Sequence, residues 1–140
     1  MDISVNFVSI LLAAIASMAI GFLWYSELLF GKTWMKLMGY TKKSLEEDQK
    51  KMGPMYGLSF VAALITAYVL AHVMSLSHNF YGYPMLQTAL TSAFFVWVGF
   101  IAPIQMTDVI FGKKTWKLYF INTFYQLTSV LIMGIVISLF

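Results

Sequence analysis

Residues 27–34 read E-L-L-F-G-K-T-W, and residues 108–116 read D-V-I-F-G-K-K-T-W. Each stretch lies between two long apolar runs and contains an acid, two apolar residues and then Phe-Gly-Lys. Because the apolar runs that precede the two copies must cross a membrane in the same direction, the pattern predicts an internal repeat. The repeat consists of two helical hairpins related by an axis along the membrane normal. The corresponding residues are Glu27 and Asp108, Phe30 and Phe111, Gly31 and Gly112, and Lys32 and Lys113.

The composition indicates that the chain is surrounded largely by lipid. Of its 140 residues, 60% are hydrophobic and 11% are charged, whereas soluble domains carry roughly a quarter charged residues. The basic residues are all lysines beside apolar runs, which favours lipid headgroups as partners and argues against nucleic acid. The chain has no cysteine, so disulfides and cysteine metal sites are excluded.

Four apolar stretches are long enough to cross a bilayer as helices, which takes about 20 residues. They cover residues 3–25, 54–76, 84–106 and 117–140. Backbone polar groups in lipid must be satisfied within their own segment, so each span is predicted to be α-helical. We therefore expect an all-α membrane protein in which residues 1–140 form a single domain with four transmembrane helices.

The lysines predict the orientation of the chain. Six of the nine lie between spans one and two, and three lie between spans three and four. By the positive-inside rule, both lysine-rich loops are cytoplasmic and both termini lie outside the plasma membrane. The larger loop, residues 35–53, is predicted to contain a short helix over residues 46–52, with a capping box formed by Ser44 and Glu47.

Small residues recur four apart on spans one and two. They form grooves where helix backbones can approach closely, which predicts that these spans meet each other or that one groove makes a dimer contact. The residues are Ala13, Ser17 and Gly21 on span one, and Ala63, Ala67 and Ala71 on span two.

The repeated motif has a structural and a functional interpretation. In the first, Gly31 and Gly112 end helices in a left-handed conformation. In the second, Glu27 and Asp108 form a paired acidic site at the cytoplasmic mouth, which binds a cation or relays protons. We keep both interpretations open and prefer the structural one.

Three stretches together resemble a known family. They are W-Y-S-x-L-L-F-G-K-x-W at residues 24–34, D-x-x-F-G at residues 108–112 and L-Y-x-I-N-x-x-Y at residues 118–125. They resemble the small bacterial membrane proteins catalogued as domain of unknown function 1761. The resemblance implies a four-span integral membrane protein and brings no activity with it. That family usually has proline in place of Glu27, which leaves Asp108 as the stronger functional candidate.

The sequence contains none of the common catalytic or phosphate-binding motifs. The two histidines, His72 and His78, are six residues apart and do not share a helix face. The best polar cluster that can be drawn is Asp108 with Asn122 and Tyr125. We therefore expect neither an enzyme nor a bound cofactor or metal.

Two functions remain after these exclusions. The first is a structural or accessory membrane protein that binds a partner or lipid, because the small-residue grooves suit such a role. The alternative is a small dimeric transporter or channel component with an acidic cytoplasmic mouth. Proton-coupled export is disfavoured because span one contains no carboxylate. Whether the chain forms a homodimer or joins a partner membrane protein stays open.

The orientation can be tested by labelling, because the chain has no native cysteine. Asn79→Cys is expected to react with a membrane-impermeant maleimide on intact cells, since the loop after span two is predicted to lie outside. Gln49→Cys, in the lysine-rich loop, should react only after permeabilisation. The reverse pattern would show that the predicted orientation is inverted.

Overall fold

The computed structural model describes residues 5–140, and that part of the chain contains helices and connecting turns with no strand. Residues 3 and 4 of the first predicted span lie outside the described residues. Four helical stretches are long and apolar enough to cross a membrane, which confirms the all-α class and the number of candidate spans. They are Phe7–Trp24, Met52–Tyr81, Met85–Gly112 and Trp116–Ser138.

The third stretch is interrupted, and two short helices lie between the first and second stretches. In chain order the segments are α1 (Phe7–Trp24), α2 (Gly31–Met38), α3 (Lys42–Gln49), α4 (Met52–Tyr81), α5 (Met85–Val96), the π-helical segment Trp97–Ile101, α6 (Ala102–Gly112) and α7 (Trp116–Ser138).

The π-helical segment has a local cause in the sequence. Pro103, in the first turn of α6, has no backbone N–H, and its ring would clash with the carbonyl of Gly99 in a continuous α-helix. Widening the helix just before the proline relieves that clash. Trp97, at the start of the segment, then donates from Nε1 to the carbonyl of Thr123 on α7 at 2.8 Å.

Helix α7 packs against α1, α4 and α5, and small side chains fill the contacts. A Cβ on Gly134 of α7 would lie 3.2 Å from the carbonyl oxygen of Ala89 on α5, so the two backbones are close. The hydroxyls of Ser17 on α1 and Ser129 on α7 share a buried hydrogen bond of 2.7 Å. Packing of this kind replaces the hydrophobic drive that is weak between helices in lipid.

The small residues of the first span face α7 at two positions. Ser17 bonds to Ser129, and a Cβ on Gly21 would lie 3.0 Å from the hydroxyl oxygen of Tyr125. Helices α1 and α4 also pack together. The remaining members of the two grooves are all buried in the core: Ala13, Ala63, Ala67 and Ala71.

The prediction that Gly31 and Gly112 end helices in a left-handed conformation is wrong. Gly31 is the first residue of α2, Gly112 is the last residue of α6, and the left-handed residue of the second copy is Lys113, with a φ of 55°. In the first copy glycine is required for space, because a Cβ on Gly31 would lie 2.3 Å from the carbonyl oxygen of Tyr25. The two copies of the motif therefore have different local structures.

The capping box predicted at Ser44 and Glu47 is also wrong, because the helix runs from Lys42 to Gln49 instead of over residues 46–52 and its N-cap is Thr41. Thr41 accepts from the N–H of Ser44 at 3.2 Å, and the Ser44 hydroxyl accepts from the N–H of Thr41 at 2.8 Å. Helix α4 starts at Met52 and runs through Pro54, since an N–H in the first turn of a helix has no intrahelical partner to lose.

The two motif glycines provide a matched pair for a stability test. Gly31→Ala is expected to lower the free energy of unfolding by about 1–3 kcal/mol, because the added methyl overlaps the backbone of residues 25 and 26. Gly112→Ala should be neutral or stabilising, because nothing lies within 4 Å of its added Cβ. Thermal unfolding in detergent measures both. Equal shifts would contradict the close approach at Gly31.

Candidate functional site

A cavity of about 490 Å³ is lined by residues of α2, α3, the C-terminal end of α1, the N-terminal end of α4 and Tyr125 of α7. We call it the chamber. Its lining is largely apolar, and the only charged residue in it is Asp48 of α3. The lining comprises six aromatic residues (Phe22, Tyr25, Trp34, Tyr40, Tyr56 and Tyr125), four methionines (Met18, Met35, Met52 and Met55), and Gly21, Leu45, Asp48 and Ser59.

The turn after α1 places α2 against the chamber. The N–H of Phe30 donates to the carbonyl of Trp24 at 3.0 Å, and that of Gly31 donates to the carbonyl of Ser26 at 2.9 Å. Because Gly31 has no side chain, α2 starts directly beside the end of α1. The ring of Trp34 consequently lies 5.4 Å from the ring of Tyr25, centroid to centroid.

A left-handed glycine after α2 places the ring of Tyr40 beside that of Trp34. Gly39 ends α2 with a φ of 76°, a conformation that glycine adopts without strain. The chain reverses there, and the ring of Tyr40 stacks on that of Trp34 at 5.5 Å. At the other end of the wall, the ring of Tyr25 meets that of Tyr125 on α7 at 5.1 Å. Tyr40, Trp34, Tyr25 and Tyr125 form one continuous series of rings, which we call the aromatic wall.

Two hydrogen bonds join the C-terminal end of α1 to α7. The Tyr25 hydroxyl donates to Oδ1 of Asn122 at 2.9 Å, and Nε1 of Trp24 donates to the carbonyl of Ile121 at 3.1 Å. Burial, with a smaller contribution from the nearby Tyr125, raises the pKa of the Tyr25 phenol well above its usual value. Tyr25 therefore stays protonated and remains a hydrogen-bond donor at physiological pH.

The two acids of the repeated motif lie outside the chamber, each beside a lysine of its own copy. Glu27 Oε2 is 3.8 Å from Lys32 Nζ, and Asp108 Oδ2 is 3.4 Å from Lys114 Nζ. The side chains are largely solvent-accessible, so each pair contributes little to stability.

The structure brings together only two members of the polar cluster predicted from the sequence. Asn122 and Tyr125 both contact Tyr25, while Asp108 bonds to Lys114. Sequence reasoning missed Trp34, Tyr40 and Asp48 as lining residues. The aromatic ones carried a signal, since Trp34 ends the first motif copy and Tyr40 follows it closely, but aromatic residues beside a span are also typical of membrane interfaces.

The family of the chain follows from its sequence over nearly its whole length. The profile of a family described as protein of unknown function (DUF1761) matches residues 8–138. The chain belongs to the DUF1761 family. The match confirms the resemblance seen in the three sequence stretches, and it includes both motif copies and the residues of the aromatic wall. No curated protein and no solved structure matches the chain.

A second cavity of about 290 Å³ lies at the opposite end of this DUF1761 protein, between the same three helices α1, α4 and α7 and the start of α5. Its polar lining residues are Asn6, Ser9 and Ser75. Between the two cavities, the helices are packed through buried residues that include Ala13, Ser17 and Ala67.

The histidines are engaged by backbone carbonyls. His72 Nδ1 lies 2.9 Å from the carbonyl of Tyr68, and His78 Nδ1 lies 2.7 Å from that of Tyr83. Residues 5–140 contain no group of three His, Cys, Asp or Glu side chains positioned to hold a metal ion.

The bond from Tyr25 to Asn122 can be tested with a matched pair of tyrosines. Tyr25→Phe is expected to lower the free energy of unfolding by about 0.5–1.5 kcal/mol, because it leaves the Asn122 amide without its donor. Tyr56→Phe should change little, because its hydroxyl contacts only the sulfur of Met52 at 3.7 Å and is exposed. Denaturation in detergent compares them, and a larger loss for Tyr56→Phe would argue against the bond.

Proposed function

We propose that this DUF1761 protein is a multi-pass protein of the plasma membrane that binds a lipid or another amphipathic molecule in the chamber. It acts as an accessory protein through binding and not through catalysis. The observation that carries this proposal is the chamber itself. Ligand pockets typically measure about 300–1,000 Å³ and combine an apolar lining with few polar groups. The chamber has a comparable volume, mostly apolar walls and a single charged residue.

The lysines support a cytoplasmic position for the chamber. Helices α2 and α3, which form one side of it, carry Lys32, Lys36, Lys42 and Lys43. Under the positive-inside rule this side of the protein faces the cytoplasm, and both termini face outward. The same rule places both lysine-bearing segments on one side of the membrane, as the proposed relation between two parallel hairpins requires.

The methionines suit a ligand of variable shape. A methionine side chain has three rotatable bonds and a polarisable sulfur, so it adapts to irregular apolar surfaces. Met18 lies on α1, Met35 lies on α2, and Met52 and Met55 lie on α4, so adaptable side chains come from three of the helices around the chamber. Such a lining favours an acyl chain or another flexible apolar group over a rigid polar metabolite.

The second cavity favours one further candidate function, that of a small dimeric transporter or channel component. Both cavities lie between α1, α4 and α7, one at each end of the bundle. A solute that crossed from one cavity to the other would have to separate α1 from α7, which are packed through small residues around Ser17 and Ser129. In this function Glu27 and Asp108 would act as an acidic cytoplasmic mouth.

The binding function can be tested by filling the chamber. Ser59 of α4 lines the chamber, and the adjacent Leu58 does not and is 72% exposed. Native mass spectrometry of the wild type, released from its own membrane, should show a reproducible adduct of lipid or small-molecule mass. Ser59→Trp should remove most of that adduct because its indole occupies the chamber, whereas Leu58→Trp should retain it.

Two results would contradict the proposal. One is a wild-type protein released without any adduct. The other is an adduct retained equally by both tryptophan variants, which would place the bound molecule outside the chamber.

A further inference from the structure

We infer that the ligand of the chamber is an organic cation, an alkylated ammonium group carried on an apolar body. The cation would lie against the aromatic wall, with Asp48 as its counter-charge. This inference rests on the proposed function, because it names the chemical class of ligand for the same chamber.

The aromatic wall is the first part of the argument. Tyr40 stacks on Trp34 with ring centroids 5.5 Å apart, Trp34 meets Tyr25 edge-on at 5.4 Å, and all three residues line the chamber. An aromatic face carries partial negative charge and attracts a cation within about 6 Å, and tryptophan is the strongest of the three ring types. Grouped aromatic rings are the typical way in which proteins bind quaternary ammonium groups.

The charge of the lining points the same way. Asp48 is the only charged residue that lines the chamber. Within residues 5–140 the two ion pairs join Glu27 to Lys32 and Asp108 to Lys114, so no described lysine forms an ion pair with Asp48. Asp48 also lies in the last turn of α3, where the helix dipole adds negative potential and favours a cation. The one charged group in the lining is thus a carboxylate, and it has no ion-pair partner among the described residues.

Other ligand classes fit these residues less well. A phosphate or carboxylate would meet the charge of Asp48 without a basic lining residue to offset it. A hard cation such as Mg²⁺ or Ca²⁺ favours several oxygen ligands including carboxylates, and Asp48 provides the only carboxylate of the lining. An apolar body is accommodated by Phe22, Leu45 and the four methionines of the lining.

The position of the wall favours a free cation over a lipid headgroup. Trp34 and Tyr40 belong to the segment between α1 and α4, outside the four stretches that can cross a membrane. A ligand held there is reached from the water on that side. We therefore assign the site to a free cation and treat the choline headgroup of a lipid as the competing source.

Binding is measured by equilibrium dialysis of the full chain in nanodiscs made of phosphatidylethanolamine and phosphatidylglycerol. The probe is benzyltrimethylammonium, and its neutral carbon isostere neopentylbenzene is the comparison. Uptake by protein-free nanodiscs is subtracted. The cation is expected to bind at least about fivefold tighter than the isostere, because only the cation gains from the rings and from Asp48. Equal affinity for both would overturn the inference.

Two variants locate the binding. Trp34→Leu and Asp48→Asn should each weaken the affinity for benzyltrimethylammonium by about five- to thirtyfold. Trp116→Leu and Asp108→Asn remove the same groups from residues outside the chamber lining and should bind as the wild type does. Asp48 is a partly exposed residue of a short helix, so Asp48→Asn keeps the test valid if Trp34→Leu fails to fold. Wild-type affinity in Asp48→Asn would overturn the role of that carboxylate.

Two further comparisons separate the remaining explanations. Replacing phosphatidylethanolamine with phosphatidylcholine should leave the affinity unchanged, and competition by phosphatidylcholine would overturn the assignment to a free cation. If Ser59→Trp removes the native adduct but benzyltrimethylammonium binds no better than its isostere, the chamber binds a ligand of another class. In that case the cation inference fails while the proposed function stands.

Discussion

The structure depends on close contact between helix backbones around α7. Lipid is as apolar as the side chains of the spans, so burying those side chains against each other yields little, and dense packing must hold the helices together. Gly134 against the backbone of Ala89, and Ser17 against Ser129, show how small residues provide it. A larger side chain at any of these four positions would separate α7 from α1 or α5.

The two cavities lie at opposite ends of this packed region. Small residues allow α1, α4 and α7 to meet in the middle of the bundle, where Ala13 and Ala67 are fully buried. At the α2–α3 end the lining contains both small residues, Gly21 and Ser59, and long side chains such as Met18. Helices α2 and α3 supply the rest of the chamber lining there, including its charged residue.

Much of this fold could be predicted from the sequence, because its strongest signals are local. The four spans follow from runs of apolar residues, and their helical form follows from the lack of backbone partners in lipid. The burial of Ala63, Ala67 and Ala71 also follows from their spacing along one helix. The candidate site could not be predicted in the same way. Its wall exists only because α2 folds back against α1, and its charge comes from a residue of α3.

The repeated motif shows why local similarity was misleading. Gly31 and Gly112 have the same neighbours in sequence, but Gly31 lies against the backbone of Tyr25 while Gly112 has open space around it. The first copy begins a helix that covers the chamber, and the second copy ends a helix next to a simple turn. When the two copies are aligned, Glu27 corresponds to Asp108, but neither residue lines the chamber.

The packed region between the cavities bears on the choice between binding and transport. The hydrogen bond between Ser17 and Ser129 contributes only about 0.6 kcal/mol if it is typical of bonds between membrane helices. That bond alone would not keep the helices closed. Buried side chains along α1, α4 and α7, among them Ala13, Ala67 and Val130, add to it, and a solute that crossed between the cavities would have to displace them. A molecule can enter and leave the chamber without disturbing any of them. Since binding leaves this region intact and transport must break it, the packing favours a protein that holds its ligand at one end of the bundle.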